Sequence, residues 1–293
     1  MSRVNIDTVR AHQDLNATLE EQAADALSEA LDGLDWSAAD AVDEVLSNVE
    51  TFFTAFGEMA VEVARQWYQY CVDTESDGRS TYEATASYDF TSYAPQLKRK
   101  VKDYFSQIDS GEKTVDDIKT SLKADLGNHM SAEARRVELD NIIEENRPTV
   151  AGRYGRPGKG LYARQNTRQT RVGYARVPTS GCSCAFCMMM ASRGFVYVSK
   201  KSAGESRKFH DNCRCSIVRL DSDDPIIDDY EDGTQYLDMY YAAAEALESG
   251  DLPPEVYKRI DMAREHAKDK DDKDFSAMNE IAIAMRYMYG LQH

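Results

Sequence analysis

Long apolar runs are missing from this chain of 293 residues. No stretch approaches the run of about 18 apolar residues that spans a bilayer, so no helical span and no membrane partner are expected. The start, MSRVNIDTVRAHQDLN, has no apolar h-region, and the expectation is a protein made in a cytoplasm. Histidine is scarce, at 5 residues, and cysteine stops at 6. Without an export signal, so few thiols favour reduced side chains or metal ligation over a disulfide scaffold. Two tempting ligand loops also lack their defining spacing. GRYGRPGKG has no GxxxxGK[ST] pattern, and DSDDPIIDDYEDGTQ has neither D-x-[DN]-x-[DN]-G nor a distal Glu. A phosphate loop and a calcium loop are therefore rejected in favour of a linker and a solvated acidic segment.

What is abundant is charge, and it is segregated. The formal net charge is −16, yet residues 147–219 carry 15 Lys/Arg against 2 Asp/Glu. Residues 1–146 carry 13 against 30, and residues 220–293 carry 7 against 19. A basic middle between acidic ends implies a positive patch facing nucleic acid, the chain's own acidic segments or an acidic partner. The acidic flanks would repel DNA in bulk, so a free sequence-specific DNA binder is not expected.

The first 146 residues read as helices. Val42, Val45, Leu46, Val49, Phe53, Phe56, Ala60, Val63, Trp67 and Tyr70 keep a spacing of three or four, which predicts one long amphipathic helix, bent or broken near Gly57. Its aromatic stripe (Phe52, Phe53, Phe56, Trp67, Tyr68, Tyr70) is read as core packing rather than a ligand groove. Cys71 is read as a buried small hydrophobe. Residues 73–92 are polar and turn-rich, a loop. Pro95 fits the first turn of a helix through Ile108. Thr114 is an N-cap with Asp116 and Asp117 in the first turn, Val115, Ile118, Leu122 and Leu126 face inward, and Gly127 is a stop. Ser131 then caps a further helix that ends before Pro148.

Residues 147–181 hold six glycines, three prolines and 8 Lys/Arg with no acid, and the domain boundary is placed here. Val172–Pro178 alternates like a strand. Ala185–Arg193 makes a short helix ended by Gly194, with Met188 to Met190 in a small core. Phe195–Val198 is a second strand, Lys200–Lys208 a basic loop, and Cys215–Leu220 a third strand. Helices follow near 234–249, 253–268 and 274–290. The fold class is α+β: a mostly helical N-terminal region over 1–147, a small β-containing Cys/His core over 148–220, and an acidic helical C-terminal region over 221–293.

The chemistry concentrates in that core. Five of the six cysteines fall between Cys182 and Cys215, as Cys184-Ala-Phe-Cys187 and His210-Asp-Asn-Cys213-Arg-Cys215. Thiolate and imidazole are the donors a tetrahedral zinc ion prefers, and two short hooks brought together can supply four of them. Two ligand sets are open. One uses Cys184, Cys187, Cys213 and Cys215; the other uses His210 with three of these, and Cys182 substitutes at the edge. A structural zinc ion is the expected cofactor, against packed thiols or disulfides.

The string YARVPTSGCSCAFCMMMASRGFVYVSKKSAGESRKFHDNCRCSIV resembles the cysteine–histidine core of the Mu F-like minor capsid proteins of tailed bacteriophages. Those proteins show CxxC, a small-residue turn, a Gly-Phe-Val-Tyr-like strand, then H-x-x-C-x-C. Here Cys184, Cys187, Gly194, His210, Cys213 and Cys215 match, within residues 172–220. The resemblance implies a head morphogenesis protein, in few copies, associated with the portal inside the capsid. It implies a role in procapsid assembly and in DNA packaging or ejection, and location in the virion interior after assembly in the host cytoplasm. Its partners would be the portal protein, major capsid or scaffold proteins, and packaged DNA through the basic segment 153–176. There Arg153, Arg156, Lys159, Arg164, Arg168, Arg171 and Arg176 would neutralise phosphates without reading sequence. In such a particle one or two disulfides formed outside the reducing cell are the alternative to zinc.

Some relatives in that family are regarded as capsid maturation proteases, so an enzyme on the same core is the competing function. A cysteine protease would pair Cys187 or Cys213 with His210, but a metal would consume those groups. A serine enzyme lacks a G-x-S-x-G context. A ββα-type metal-dependent nuclease needs further His and acidic or Asn ligands, and only His210 lies in the region. The expectation is a structural protein, not an enzyme.

Overall fold

The computed structural model describes residues 4–76, 82–145, 172–178, 184–192, 215–221, 227, 232–269 and 277–291. Helix predominates, with one small antiparallel sheet, as the α+β expectation has it. The chain divides into two compact units. The first lies within Ala11–Tyr154 and contains most of α1 (Ile6–Asp32) with α2 (Ala41–Ser76), α3 (Ala94–Asp109) and α4 (Val115–Glu145). The second contains β1 (Val172–Val177), α5 (Ala185–Ala191), β2 (Ser216–Asp221), α6 (Asp232–Ser249), α7 (Pro254–Asp269) and α8 (Ala277–Tyr289).

In the first unit the apolar stripe of α2 is the centre of the core. Val45, Val49, Phe53 and Ala60 are buried with Leu27 and Leu31 of α1, Leu97 and Val101 of α3, and Ile118, Leu122, Leu126 and Met130 of α4. Trp67, Tyr68 and Cys71 are buried further along α2. Tyr70 departs from the expected stripe: it is 38% exposed and stacks on Trp67 at 5.7 Å. Pro95 sits in the first turn of α3. At the start of α4, Thr114 Oγ1 accepts from the Asp117 N–H at 3.2 Å, and the Asp117 carboxylate accepts from the Thr114 N–H at 2.9 Å. This reciprocal pair satisfies two donors that a helix start leaves open.

Three expected breaks are absent, and packing explains each. α2 runs unbroken through Gly57 and on to Ser76, so the expected loop begins later. Gly57 serves close approach instead: a Cβ there would overlap the Tyr88 ring, whose hydroxyl donates to the Phe53 carbonyl at 2.7 Å. α4 likewise continues through Gly127 and Ser131. A helical glycine costs about 1 kcal/mol, less than the gain from burying the row Leu122, Leu126, Met130 and Val137 on a continuous helix. The Ser131 hydroxyl caps nothing and donates to Glu20 at 2.7 Å.

The segment 82–89 has no regular structure, yet it is fixed by side chains. Asn141 on α4, fully buried, accepts from the Thr85 N–H and the Tyr82 hydroxyl, both at 2.8 Å. Its amide nitrogen donates to the Thr85 and Val137 carbonyls, both at 2.9 Å. Gln69 of α2 accepts from the Ala84 N–H at 2.7 Å. These bonds supply the backbone partners that a ladder would otherwise provide.

In the second unit β1 and β2 pair antiparallel, with Arg176 opposite Ile217 and Tyr174 opposite Arg219. The expected strand over Phe195–Val198, the basic loop, the domain boundary near 147 and the Gly194 stop lie outside the described residues. α5 buries Ala185 and Met189 in one core with Ala243 of α6, Val256 and Ile260 of α7, and Ala282, Ala284 and Met285 of α8. α6 ends at Gly250, whose φ of +79° lets the Asp251 N–H return to the Ala246 carbonyl at 3.1 Å. Arg264 of α7 forks onto Glu280 of α8 at 2.6 and 2.8 Å. None of the described helices is long and apolar enough to cross a membrane.

Candidate metal centre

Three of the five expected ligands are placed, and they meet. Cys184 N-caps α5 and its Sγ accepts from the Cys187 N–H at 3.3 Å. Cys215 immediately precedes β2. The Sγ atoms of Cys187 and Cys215 lie 3.4 Å apart. Cys184, Cys187 and Cys215 form one buried cluster with Phe186 packed against it, at 5%, 0% and 0% exposure. The three thiols are not joined in disulfides. His210, Cys213 and Cys182 lie outside the described residues, and among the described residues no group of three or more His, Cys, Asp or Glu closes on a common ion position.

The donor chemistry nevertheless fits a thiophilic ion. With Zn–S bonds of about 2.3 Å, tetrahedral geometry separates two sulfurs by about 3.8 Å. The Cys187–Cys215 separation is only slightly shorter, so a small outward rotation of either side chain opens the edge of a tetrahedron. Cys184 is the third sulfur of the same cluster, and the sequence leaves His210 or Cys213 as the fourth donor.

Burying charge next to these thiols has a cost that the surroundings reduce. Strand alternation places Arg176 and Arg219 on one face of the sheet, the face whose parity Cys215 continues. Arg176 is 1% exposed and its guanidinium lies 5.6 Å from the Phe186 ring centroid. Arg286 on α8 has a buried Nε with no hydrogen-bond partner among the described residues. Burial pushes its pKa down, and the charge at Cys184 opposes that shift. A cationic lining is what two or more thiolates would need in a dry interior.

The DNA-facing row expected from the sequence includes Arg176; its burial beside Phe186 puts it inside the unit instead. The other six cations of that row, Arg153 to Arg171, lie outside the described residues. Arg219 and Arg286 are functional candidates that sequence reasoning does not single out. Arg219 has a readable signal, since it alternates in phase with Ile217 on a strand. Arg286 has none, because only folding brings α8 to α5.

An α+β chain, mostly helical, with a buried thiol cluster between a short helix and a two-stranded sheet, is thus the class that fold and site define. The family model described as VG15 protein matches residues 3–243, and the chain belongs to this family of viral, phage-type proteins. The match runs from α1 into α6 and includes the whole Cys cluster. No curated protein and no solved structure matches the chain.

Proposed function

We propose that this phage protein is a minor capsid protein of the Mu F-like head morphogenesis type, bound to the portal inside the head and acting in procapsid assembly. The observation that carries the proposal is the convergence of Cys184, Cys187 and Cys215 in one buried cluster, at the positions where the resemblance to that core is densest. The cluster works as a staple. Its sulfurs, with Cys213 or His210, hold a structural zinc ion that ties α5 to β2, and the ion supplies folding energy rather than catalysis. A non-enzymatic role is supported by burial: a nucleophile must reach its substrate, and Cys187 and Cys215 have no exposure. Portal, major capsid or scaffold subunits are the protein partners, and packaged DNA meets the basic segment 153–176 apart from Arg176. The protein then resides in the capsid interior, where its nucleic-acid role is in packaging or ejection of that DNA.

Peptide mass spectrometry of purified virions tests the reading. The chain recovered at a few copies per particle, inside heads that protect it from external protease, is the expected result. Its absence from mature particles, despite expression during infection, overturns it and points to an assembly-phase enzyme or scaffold.

A further inference from the structure

We propose that Cys187 and Cys215 are the pair that closes into a disulfide when this centre meets a peroxide, an oxidant small enough to enter a closed core, making the staple an oxidation-sensitive cross-link between α5 and β2. The proposal rests on the metal-centre reading in one respect: the sulfurs that oxidation joins are two of those that hold the ion. Their Sγ atoms are 3.4 Å apart, already in contact, and 28 residues separate them in sequence. Cys184 Sγ is the N-cap acceptor of the Cys187 N–H at 3.3 Å, and closure of this Cys-x-x-Cys is the competing product. Cys71, on α2, belongs to the other unit.

The chemistry balances with hydrogen peroxide as oxidant. One cysteine thiolate attacks its O–O bond, forming a sulfenic acid and releasing hydroxide. The second cysteine thiolate then attacks the sulfenic sulfur, forming the Cys187–Cys215 bond and releasing a second hydroxide. Two cysteines are oxidised, one peroxide is reduced to two hydroxides, and the ion loses two ligands. A thiol centre that is metal-held in a reducing cytoplasm would become covalently held once a particle leaves it. The link closes a loop of about thirty residues, long enough to restrict the unfolded chain substantially.

The test uses the full chain reconstituted with zinc, treated with stoichiometric hydrogen peroxide, quenched with an alkylating reagent and digested without reduction. Trypsin cuts after Arg193 and Arg214, and chymotrypsin after Phe186, so Cys187, Cys213 and Cys215 end on separate peptides. The expected product joins the peptide of residues 187–193 to that of residues 215–219, with zinc released in step. Cys213→Ser should still form it and Cys215→Ser should not. The same link in a chain that takes up no zinc on reconstitution keeps the pairing and overturns only the metal reading. Zinc retained through the oxidant treatment with no cross-linked peptide, or a link from Cys187 to Cys184 or Cys213, overturns the pairing and leaves the metal reading standing.

Discussion

The Tyr88 hydroxyl lies 2.9 Å from Nε2 of His129, and the direction of that bond follows from a third atom. Tyr88 has one hydroxyl hydrogen and gives it to the Phe53 carbonyl at 2.7 Å, so His129 must donate its Nε2–H to the phenol oxygen. The neutral imidazole is thereby fixed in one tautomer. Tyr93 stacks on the ring at 4.4 Å, and Phe53 and Phe90 complete an aromatic cage. His129 is 6% exposed, and burial lowers its pKa to about 4.

A pH dependence follows with a definite sign. The folded state resists protonation that the unfolded chain accepts near pH 6.5, so the stabilisation is complete above that value and is lost as pH falls towards 4. The full loss is about 3 kcal/mol, at 1.36 kcal/mol per pKa unit. Urea unfolding between pH 7 and 5 should show stability falling in the wild type and a flatter profile in His129→Gln. Equal slopes would place the titration elsewhere.

Gly57 and Gly127 form a matched pair of tests. Both lie inside long helices, where Gly→Ala ordinarily adds about 0.5–1 kcal/mol. Gly127 has nothing near its missing Cβ, so Gly127→Ala should show that gain. At Gly57 a methyl group would strike the Tyr88 ring and disturb the bonds to Phe53 and His129, so Gly57→Ala should lose about 1–3 kcal/mol. Denaturant midpoints of the two variants should therefore move in opposite directions.

These two glycines also show how much of the fold is legible in the sequence. Patterns that act within a helix are readable: the α2 stripe, Pro95 in the first turn of α3, and the Thr114–Asp117 exchange. The strand at Val172–Val177, the helix at Ala185 and the three C-terminal helices are readable too. Signals at Gly57, Gly127 and Ser131 mislead, because a local propensity near 1 kcal/mol is overridden by packing: the Tyr88 ring against Gly57, and the buried row that α4 carries on both sides of Gly127 and Ser131. The cysteines announce themselves by residue type and spacing. Arg286 does not, since its meeting with Cys184 depends on α8 packing against α5 through Met285 and Ala185.

Asn141 should be among the least replaceable residues of the first unit. Its side chain makes four hydrogen bonds, three of them to Tyr82 and Thr85 in the irregular segment. Asn141→Leu would leave the Thr85 N–H and carbonyl without their partner, at about 2–4 kcal/mol in total. Asn141→Asp keeps the acceptor but loses both donated bonds and should also destabilise. Limited proteolysis should detect new cleavage within 82–89 in both variants, before global unfolding.

The staple itself makes the sharpest prediction. A bound ion at a thousand times its dissociation constant adds about 4 kcal/mol to the state that holds it. Chelation of the zinc-loaded chain should therefore lower its melting temperature. Cobalt substitution reads the ligands directly, because its thiolate charge-transfer absorption scales with the number of bound sulfurs. Cys187→Ser and Cys215→Ser should each reduce that absorption, as their sulfurs share one edge of the site at 3.4 Å. The fourth donor is then settled by exchange. If Cys213→Ser weakens the absorption and His210→Gln leaves it intact, the site is four-cysteine; the reverse pattern makes it three cysteines and a histidine. A spectrum unchanged by Cys187→Ser and Cys215→Ser would remove the metal from this cluster and leave it as a packed set of thiols.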